Sequence, residues 1–218
     1  MPILVSDFDG TLTGRDFFQL ILERCEPPGA REIWDGFTSG RLTHFEAIAG
    51  VFAGLRTDRA GAEALVRELA PPPGLGAAVA RLQAAGWELE IASAGCRWYI
   101  DRYLAWQQIT ATVHACPGEF APETGLVMRP ATDSPFPSDE TGIDKAAVVR
   151  AALARDAVVA VAGDSGTDHD AVLLAPPARR FARRWLADDL RAEGEAFQAF
   201  GDWPEIVDIL LAETGAGS

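Results

Sequence analysis

The stretch VSDFDGTLTG, residues 5–14, sets two carboxylates, Asp7 and Asp9, two positions apart around Phe8 and directly before Gly10. Its lead-in, PILVS (2–6), is a short continuous apolar run of the kind that forms a strand buried on both faces. In an extended segment, residues i and i+2 share a face. Asp7 and Asp9 are therefore expected to converge, with Phe8 turned to the core and Gly10 letting the chain leave sharply. Two adjacent carboxylates repel, so a strand ending this way calls for a cation or for chemistry.

Working outward, residues 16–69 carry apolar residues at helical spacing in DFFQLILERC, AREIWDGF, HFEAIAGVFAGL and AEALVRELA. Thr43 and Glu46 form a capping-box signature at the start of the third. PPPG (71–74) breaks the pattern. Helix, strand ELEIAS (88–93), helix RWYIDRYLAWQ and strand ATVHAC (111–116) follow. A hairpin is expected around Glu123–Gly125, then helix DKAAVVRAALA and the very apolar strand AVVAVAGDS (157–165). Helix DHDAVLLA comes next, then a short strand near RRFA, a helix through Leu190 and a closing helix from Trp203 to Leu211. Strand–helix alternation on both sides of the helical block predicts an α/β fold with a doubly wound parallel sheet and a small β-hairpin insertion. The core is expected to comprise residues 1–14 and 71–218, with a helical cap, 15–70, inserted after the first strand.

Composition narrows the function. With a formal charge of −13 over 218 residues, the chain lacks the broad basic surface that nucleic-acid binding needs. No apolar run approaches the ~20 residues of a membrane span, and the N-terminus has no basic segment followed by a signal-length apolar core. Cys25, Cys96 and Cys116 are odd in number and widely spaced, which offers neither a disulfide framework nor a zinc site. A cytoplasmic location is expected, and the sequence carries no signal for oligomeric state. Of the 19 basic residues, Lys145 is the single lysine. A compact ammonium fits places where a planar guanidinium does not, so its survival among arginines marks it as a candidate.

Ligands of doubly wound sheets bind beyond the carboxyl ends of the strands. Asp7 and Asp9, Ser93, and Asp164 all fall at expected strand ends, and Lys145 opens the helix before the last apolar strand. Each has an ordinary explanation as a turn or cap residue, but four such groups at one sheet edge are hard to explain as loop chemistry. A hard divalent cation relieves the repulsion among the carboxylates, and Mg²⁺ suits carboxylates, water and phosphate oxygens. One carboxylate can then attack phosphorus while its neighbour handles the proton, with Lys145, Ser93 and backbone N–H groups holding the transferring oxygens.

DFDGTLT, SAG (93–95), the lone Lys145 and GDSGTD (163–168) resemble, in order and spacing, the four motifs of the haloacid dehalogenase superfamily of aspartyl phosphatases. The resemblance implies Asp7 as the nucleophile that becomes a phosphoaspartate, Asp9 as general acid and then base, and Thr11 as the residue orienting that pair. It further implies phosphate binding by Ser93, Ala94, Gly95 and Lys145, and Mg²⁺ held by Asp7, Asp164, Asp168 and the Asp9 carbonyl. A helical cap between the first two motifs resembles the subclass containing phosphoserine phosphatase, and Asp16 lies where that subclass carries an acidic group for the substrate amine. The cap segment FEAIAGVFAGL has no basic residue for a serine carboxylate, and Phe52 and its neighbours are apolar. That segment, GDSGTDHDA and the tail FARRWLADDLRAEGEAFQAFGDWPEI look more like the methionine-salvage branch, which acts on 2-hydroxy-3-keto-5-methylthiopentenyl-1-phosphate. The expected activity is Mg²⁺-dependent hydrolysis of a small phosphorylated metabolite. Phosphoserine or another small ester is the alternative. Two non-hydrolytic classes compete: a phosphate-binding regulator, which has no need of the acid Asp9, and a receiver, whose phosphoaspartate persists.

Overall fold

In the computed structural model, which describes residues 1–215, β1 (Ile3–Ser6) lies inside a six-stranded sheet. Ile3, Leu4 and Val5 are almost fully buried, as the apolar run requires. Four helices follow: α1 (Phe17–Cys25), α2 (Ala30–Thr38), α3 (His44–Ala53) and α4 (Arg59–Arg67). The Thr43–Glu46 capping box forms as its spacing predicts, with Thr43 accepting from the Glu46 N–H at 3.1 Å and Glu46 from the Thr43 N–H at 2.8 Å. Asp16 and Asp58 cap α1 and α4 through their side chains.

The chain then alternates through α5 (Leu75–Ala84), β2 (Glu88–Cys96), α6 (Arg97–Gln107) and β3 (Thr112–Cys116). An antiparallel hairpin, β4 (Gly118–Ala121) and β5 (Gly125–Met128), precedes a second, very short one, β6 (Pro137–Ser138) and β7 (Gly142–Ile143). The last third comprises α7 (Lys145–Arg155), β8 (Val159–Gly163), α8 (His169–Leu173), β9 (Arg180–Ala182), α9 (Arg184–Glu193), β10 (Gln198–Ala199) and α10 (Trp203–Gly215). Residues 137–143 and 198–199 carry too few residues for an apolar period to show, and their strands are visible only in the structure. Among the described residues, no helix is long and apolar enough to cross a membrane.

Every pairing in the main sheet is parallel, in the order β10-β9-β8-β1-β2-β3. The connections run outward from β1 in both directions, so the crevice beyond β1, between β2 and β8, is the switch point where such sheets bind ligands. The C-terminal helix is tied to that point: the buried Trp203 donates its indole N–H to Ser6 Oγ at 3.1 Å, and Ser6 Oγ donates to the Asp7 carbonyl at 2.7 Å. The Asp7 N–H is fixed in turn by the Ala162 carbonyl at 2.9 Å.

Candidate active site

β1 does not run on as an extended segment past Ser6. Residues Phe8–Leu12 coil into a tight turn, in which Gly10 takes φ +73°, a conformation open to glycine and strained for other residues. A Cβ at Gly10 would also lie 2.3 Å from Asp164 Oδ2. The turn corrects the expectation of simple alternation. Phe8 is buried against Tyr99 and Tyr103 as expected, but the Asp7 and Asp9 carboxylates part company. Asp7 Oδ1 accepts from Lys145 Nζ at 2.6 Å, whereas Asp9 accepts from the Phe17 N–H at 2.9 Å and the Tyr99 hydroxyl at 2.5 Å. Thr11 is carried into the interior, where its Oγ1 has no hydrogen-bond partner, and it does not line the cavity. Thr13 does the local work instead, accepting from the Gly10 N–H at 3.1 Å and donating to the Phe8 carbonyl at 3.1 Å.

The second group arrives through an irregularity in β2. Ala92 pairs with His114 and Cys96 with Cys116, so β2 covers the interval with two more residues than β3 does. Ser93, Ala94 and Gly95 bulge out there and line the cavity, with the Gly95 N–H donating to Ser93 Oγ at 3.0 Å. Lys145 opens α7, which Asp144 caps through the Ala147 N–H at 2.8 Å. The ammonium is buried and donates to Asp7 Oδ1, to Asp168 Oδ1 at 2.7 Å and to Thr167 Oγ1 at 3.2 Å. Asp164 follows β8. Asp168, behind it, accepts at Oδ2 from the Asp164 and Ser165 N–H groups, both at 3.1 Å.

The carboxyl oxygens of Asp7, Asp164 and Asp168 lie within 4.8 Å of one another, and all three residues are buried. Asp9 is outside this group, so any part it has in holding a metal falls to its backbone carbonyl. Burial, and then the Asp168 charge, hold the Asp7 carboxyl well above the usual range against the opposing pull of Lys145. Asp164 is pushed up to about 7 by burial and by Asp168, with Arg184 and Lys145 opposing. Asp9 is pushed up to about 8 by burial and by Asp16, against the hydrogen bonds from Tyr99 and Phe17. Burial lowers the Lys145 pKa, but the Asp168 and Asp7 carboxylates more than offset it, and the balance lies above the ordinary lysine value. The cluster thus holds more negative charge than its own cations neutralise. An all-oxygen donor set with surplus charge fits a hard divalent ion of the Mg²⁺ type.

Most of these groups line a single cleft that is continuous with solvent. The catalytic candidates Asp7, Asp9 and Lys145 and the metal-ligand candidate Asp164 line it. Asp16 and Phe52 also line it. Of the apolar stretch Ile48–Leu55, only Ile48 and Phe52, four apart on one helix face, reach the cavity, while Val51 and Leu55 are packed in the interior. Sequence reasoning missed His44, Tyr99, Arg184 and Trp185. His44 is driven down to about 4, chiefly by burial, and so presents a neutral ring at neutral pH. Arg184 takes a left-handed φ of +51° and reaches Asp164 Oδ2 and the Gly14 carbonyl, each at 3.2 Å. Nothing in the period of the tail distinguishes Arg184 from its arginine neighbours.

The model of the haloacid dehalogenase-like hydrolases matches residues 4–172, well over half of the chain. The chain belongs to that family. Its relatives include the 2-hydroxy-3-keto-5-methylthiopentenyl-1-phosphate phosphatase of Brevibacillus brevis, 25% identical over 213 residues that cover 95% of this chain and 94% of the relative. The enzyme of the same name from Exiguobacterium sibiricum is 24% identical over 210 residues, covering 95% of each. Among solved structures, a substrate-bound phosphoserine phosphatase matches with a TM-score of 0.65 at 13% identity, over 95% of this chain and 97% of that one. A haloacid dehalogenase family hydrolase from Salmonella enterica matches with a TM-score of 0.69 at 18% identity, over 91% of this chain and 66% of that one. At such identities the structural matches speak for the fold alone. This haloacid dehalogenase-like hydrolase therefore has phosphatases as its relatives in sequence and the same architecture as phosphoserine phosphatase.

Proposed function

We propose that the protein is a Mg²⁺-dependent phosphomonoesterase that hydrolyses a small ester through a phosphoaspartate on Asp7. The observation carrying this reading is the buried convergence of Asp7, Lys145, Asp164 and Asp168 beside the Ser93–Gly95 bulge and a carboxyl, Asp9, held apart from them. Asp7 Oδ attacks phosphorus as the ester P–O bond breaks, and Asp9 gives its proton to the leaving oxygen. Asp9, now a carboxylate, then takes a proton from the water whose oxygen bonds to phosphorus and frees Asp7. Lys145 and the N–H groups of the bulge stabilise the transferring oxygens. Asp7, Asp164, Asp168 and the Asp9 carbonyl would hold Mg²⁺, which supplies Lewis-acid charge to the phosphoryl group when bound. Residues 15–70 act as the cap over this site.

The surplus charge has a consequence for stability. Acids whose pKa is raised on folding bind more protons in the folded than in the unfolded state at intermediate pH. Stability is then lost as pH rises from the unfolded value, 3.8, through the folded values of about 7 for Asp164 and about 8 for Asp9. The metal-free protein is expected to melt at a lower temperature at pH 8 than at pH 5.5. Added Mg²⁺ is expected to raise the melting temperature more at pH 8, where the carboxylates are free of protons. A metal-induced shift of equal size at both pH values would count against the metal site.

For the substrate, Ile48, Phe52 and the neutral His44 favour an uncharged tail, such as the methylthio group of 2-hydroxy-3-keto-5-methylthiopentenyl-1-phosphate. A carboxylate against Phe52 would lose water without a cation, at a cost of several kcal/mol, while a neutral tail gains roughly 0.8 kcal/mol per buried methylene. One observation favours phosphoserine as the second reading: Asp16 and Arg184 also line the cavity, an acid for an ammonium and a cation for a carboxylate. A panel of phosphate esters assayed with Mg²⁺ separates them. The kcat/KM for thioether or uncharged esters is expected to exceed that for phosphoserine by at least about tenfold, or ~1.4 kcal/mol. A preference for phosphoserine over every uncharged ester would reverse the assignment.

A further inference from the structure

Tyr99 stands in the first turn of α6, immediately behind the Ser93–Gly95 bulge, and its side chain is almost wholly buried. Its ring stacks on Phe17 at 4.1 Å with 22° between planes, and meets Phe52 edge-on at 6.0 Å. A phenylalanine would pack there equally well. The hydroxyl is what sets this side chain apart, and a buried hydroxyl without a partner is costly. It donates to Asp9 Oδ2 at 2.5 Å, while Asp9 Oδ1 accepts the Phe17 N–H at 2.9 Å. With both oxygens bonded, one by the start of α1 and the other by α6, the plane of the Asp9 carboxyl is fixed. Room for the hydroxyl exists because residue 95 is glycine: a Cβ there would lie 1.8 Å from the Tyr99 oxygen and 3.1 Å from Asp9 Oδ2.

We propose that Tyr99 is a positioning residue for the hydrolysis, its hydroxyl holding the Asp9 carboxyl in the orientation from which it passes a proton to the leaving oxygen and takes one from water. This rests on the reading of Asp9 as acid and base. Tyr99 keeps its own proton throughout and acts only as a donor. Its effect is therefore greatest where proton transfer matters most, on esters whose leaving group departs as a strongly basic oxyanion.

The test compares Tyr99→Phe, which preserves the ring cluster and removes one oxygen, with the unaltered full-length enzyme and Asp9→Asn, all with Mg²⁺. The probes are phenyl phosphate and p-nitrophenyl phosphate, whose leaving groups differ in basicity. For Tyr99→Phe, kcat/KM on phenyl phosphate is expected to fall about 10- to 100-fold, the scale on which misplacing a reacting group slows a reaction. On p-nitrophenyl phosphate, whose leaving group needs little protonation, kcat/KM is expected to stay within about threefold. The melting temperature is expected to fall by no more than a few degrees, the effect of one lost hydrogen bond with the ring cluster kept. Equal losses of kcat/KM on the two probes, or no loss on either while Asp9→Asn is impaired, would overturn the positioning role and leave Asp9 as the acid. If Asp9→Asn itself retains full activity on phenyl phosphate, the acid–base reading fails, and Tyr99's role with it.

Discussion

Asp7→Asn is expected to release no phosphate from any ester that the unaltered enzyme hydrolyses. The amide oxygen is a poor nucleophile and cannot form the acyl phosphate, so the loss should exceed ~10⁴-fold, the scale on which covalent enzymes fall when their nucleophile is removed. The fold should survive. Asp7 contributes a buried charge that already sits among like charges, and its neutral amide relieves repulsion from Asp168 and Asp164. A melting temperature at or above that of the parent, with no turnover, is the expected pair of results. Steady hydrolysis by the variant would remove Asp7 from the role of nucleophile.

Lys145→Arg is the second large effect, and a stricter test than removing the charge. The ammonium sits 2.6 Å from Asp7 and 2.7 Å from Asp168, buried, with Thr167 Oγ1 at 3.2 Å. A guanidinium carries the same charge on a wider planar fork, and in this space it must push either the Asp7 carboxylate or the phosphoryl group from its place. The expected loss in kcat/KM is at least about 10²-fold, comparable to removing a group that stabilises charge in a transition state. Activity close to that of the parent would reduce the single lysine to an accident of composition in a chain otherwise supplied with arginine.

The parts of this site that could be read from residue order are those that sit where regular structure changes. Short apolar runs mark the strands, and each expected strand ends on or just before a polar residue, so Asp7, Ser93 and Asp164 are legible at one edge of a parallel sheet, although β2 runs on through Ser93 to Cys96. Lys145 was legible because it is alone. What alternation could not foresee is the turn after β1. Gly10 at φ +73° breaks the two-residue period, sending Asp9 toward α1 and Tyr99 and burying Thr11, while Thr13 closes the turn. Tyr99 was hidden for another reason: an aromatic at helical spacing in RWYIDRYLAWQ looks like a core residue, and its ring is one. Only its hydroxyl reaches Asp9, and periodicity carries no information on where a hydroxyl points. Arg184 depends on a left-handed backbone at the start of α9, a conformation that residue type does not announce for arginine.

The central claim is a covalent phosphoryl bond to Asp7, and borohydride trapping tests it most directly. The enzyme, with Mg²⁺ and an excess of a turned-over ester, is quenched and reduced, which converts an aspartyl phosphate to homoserine while leaving free aspartate unchanged. Mass mapping of the peptide containing VSDFDGTLTG is expected to show homoserine at position 7, in a yield that rises with p-nitrophenyl phosphate, whose leaving group needs little protonation, when Asp9→Asn slows the second half of the reaction. Rapid phosphate release with no modified residue at position 7, in either protein, would contradict the account.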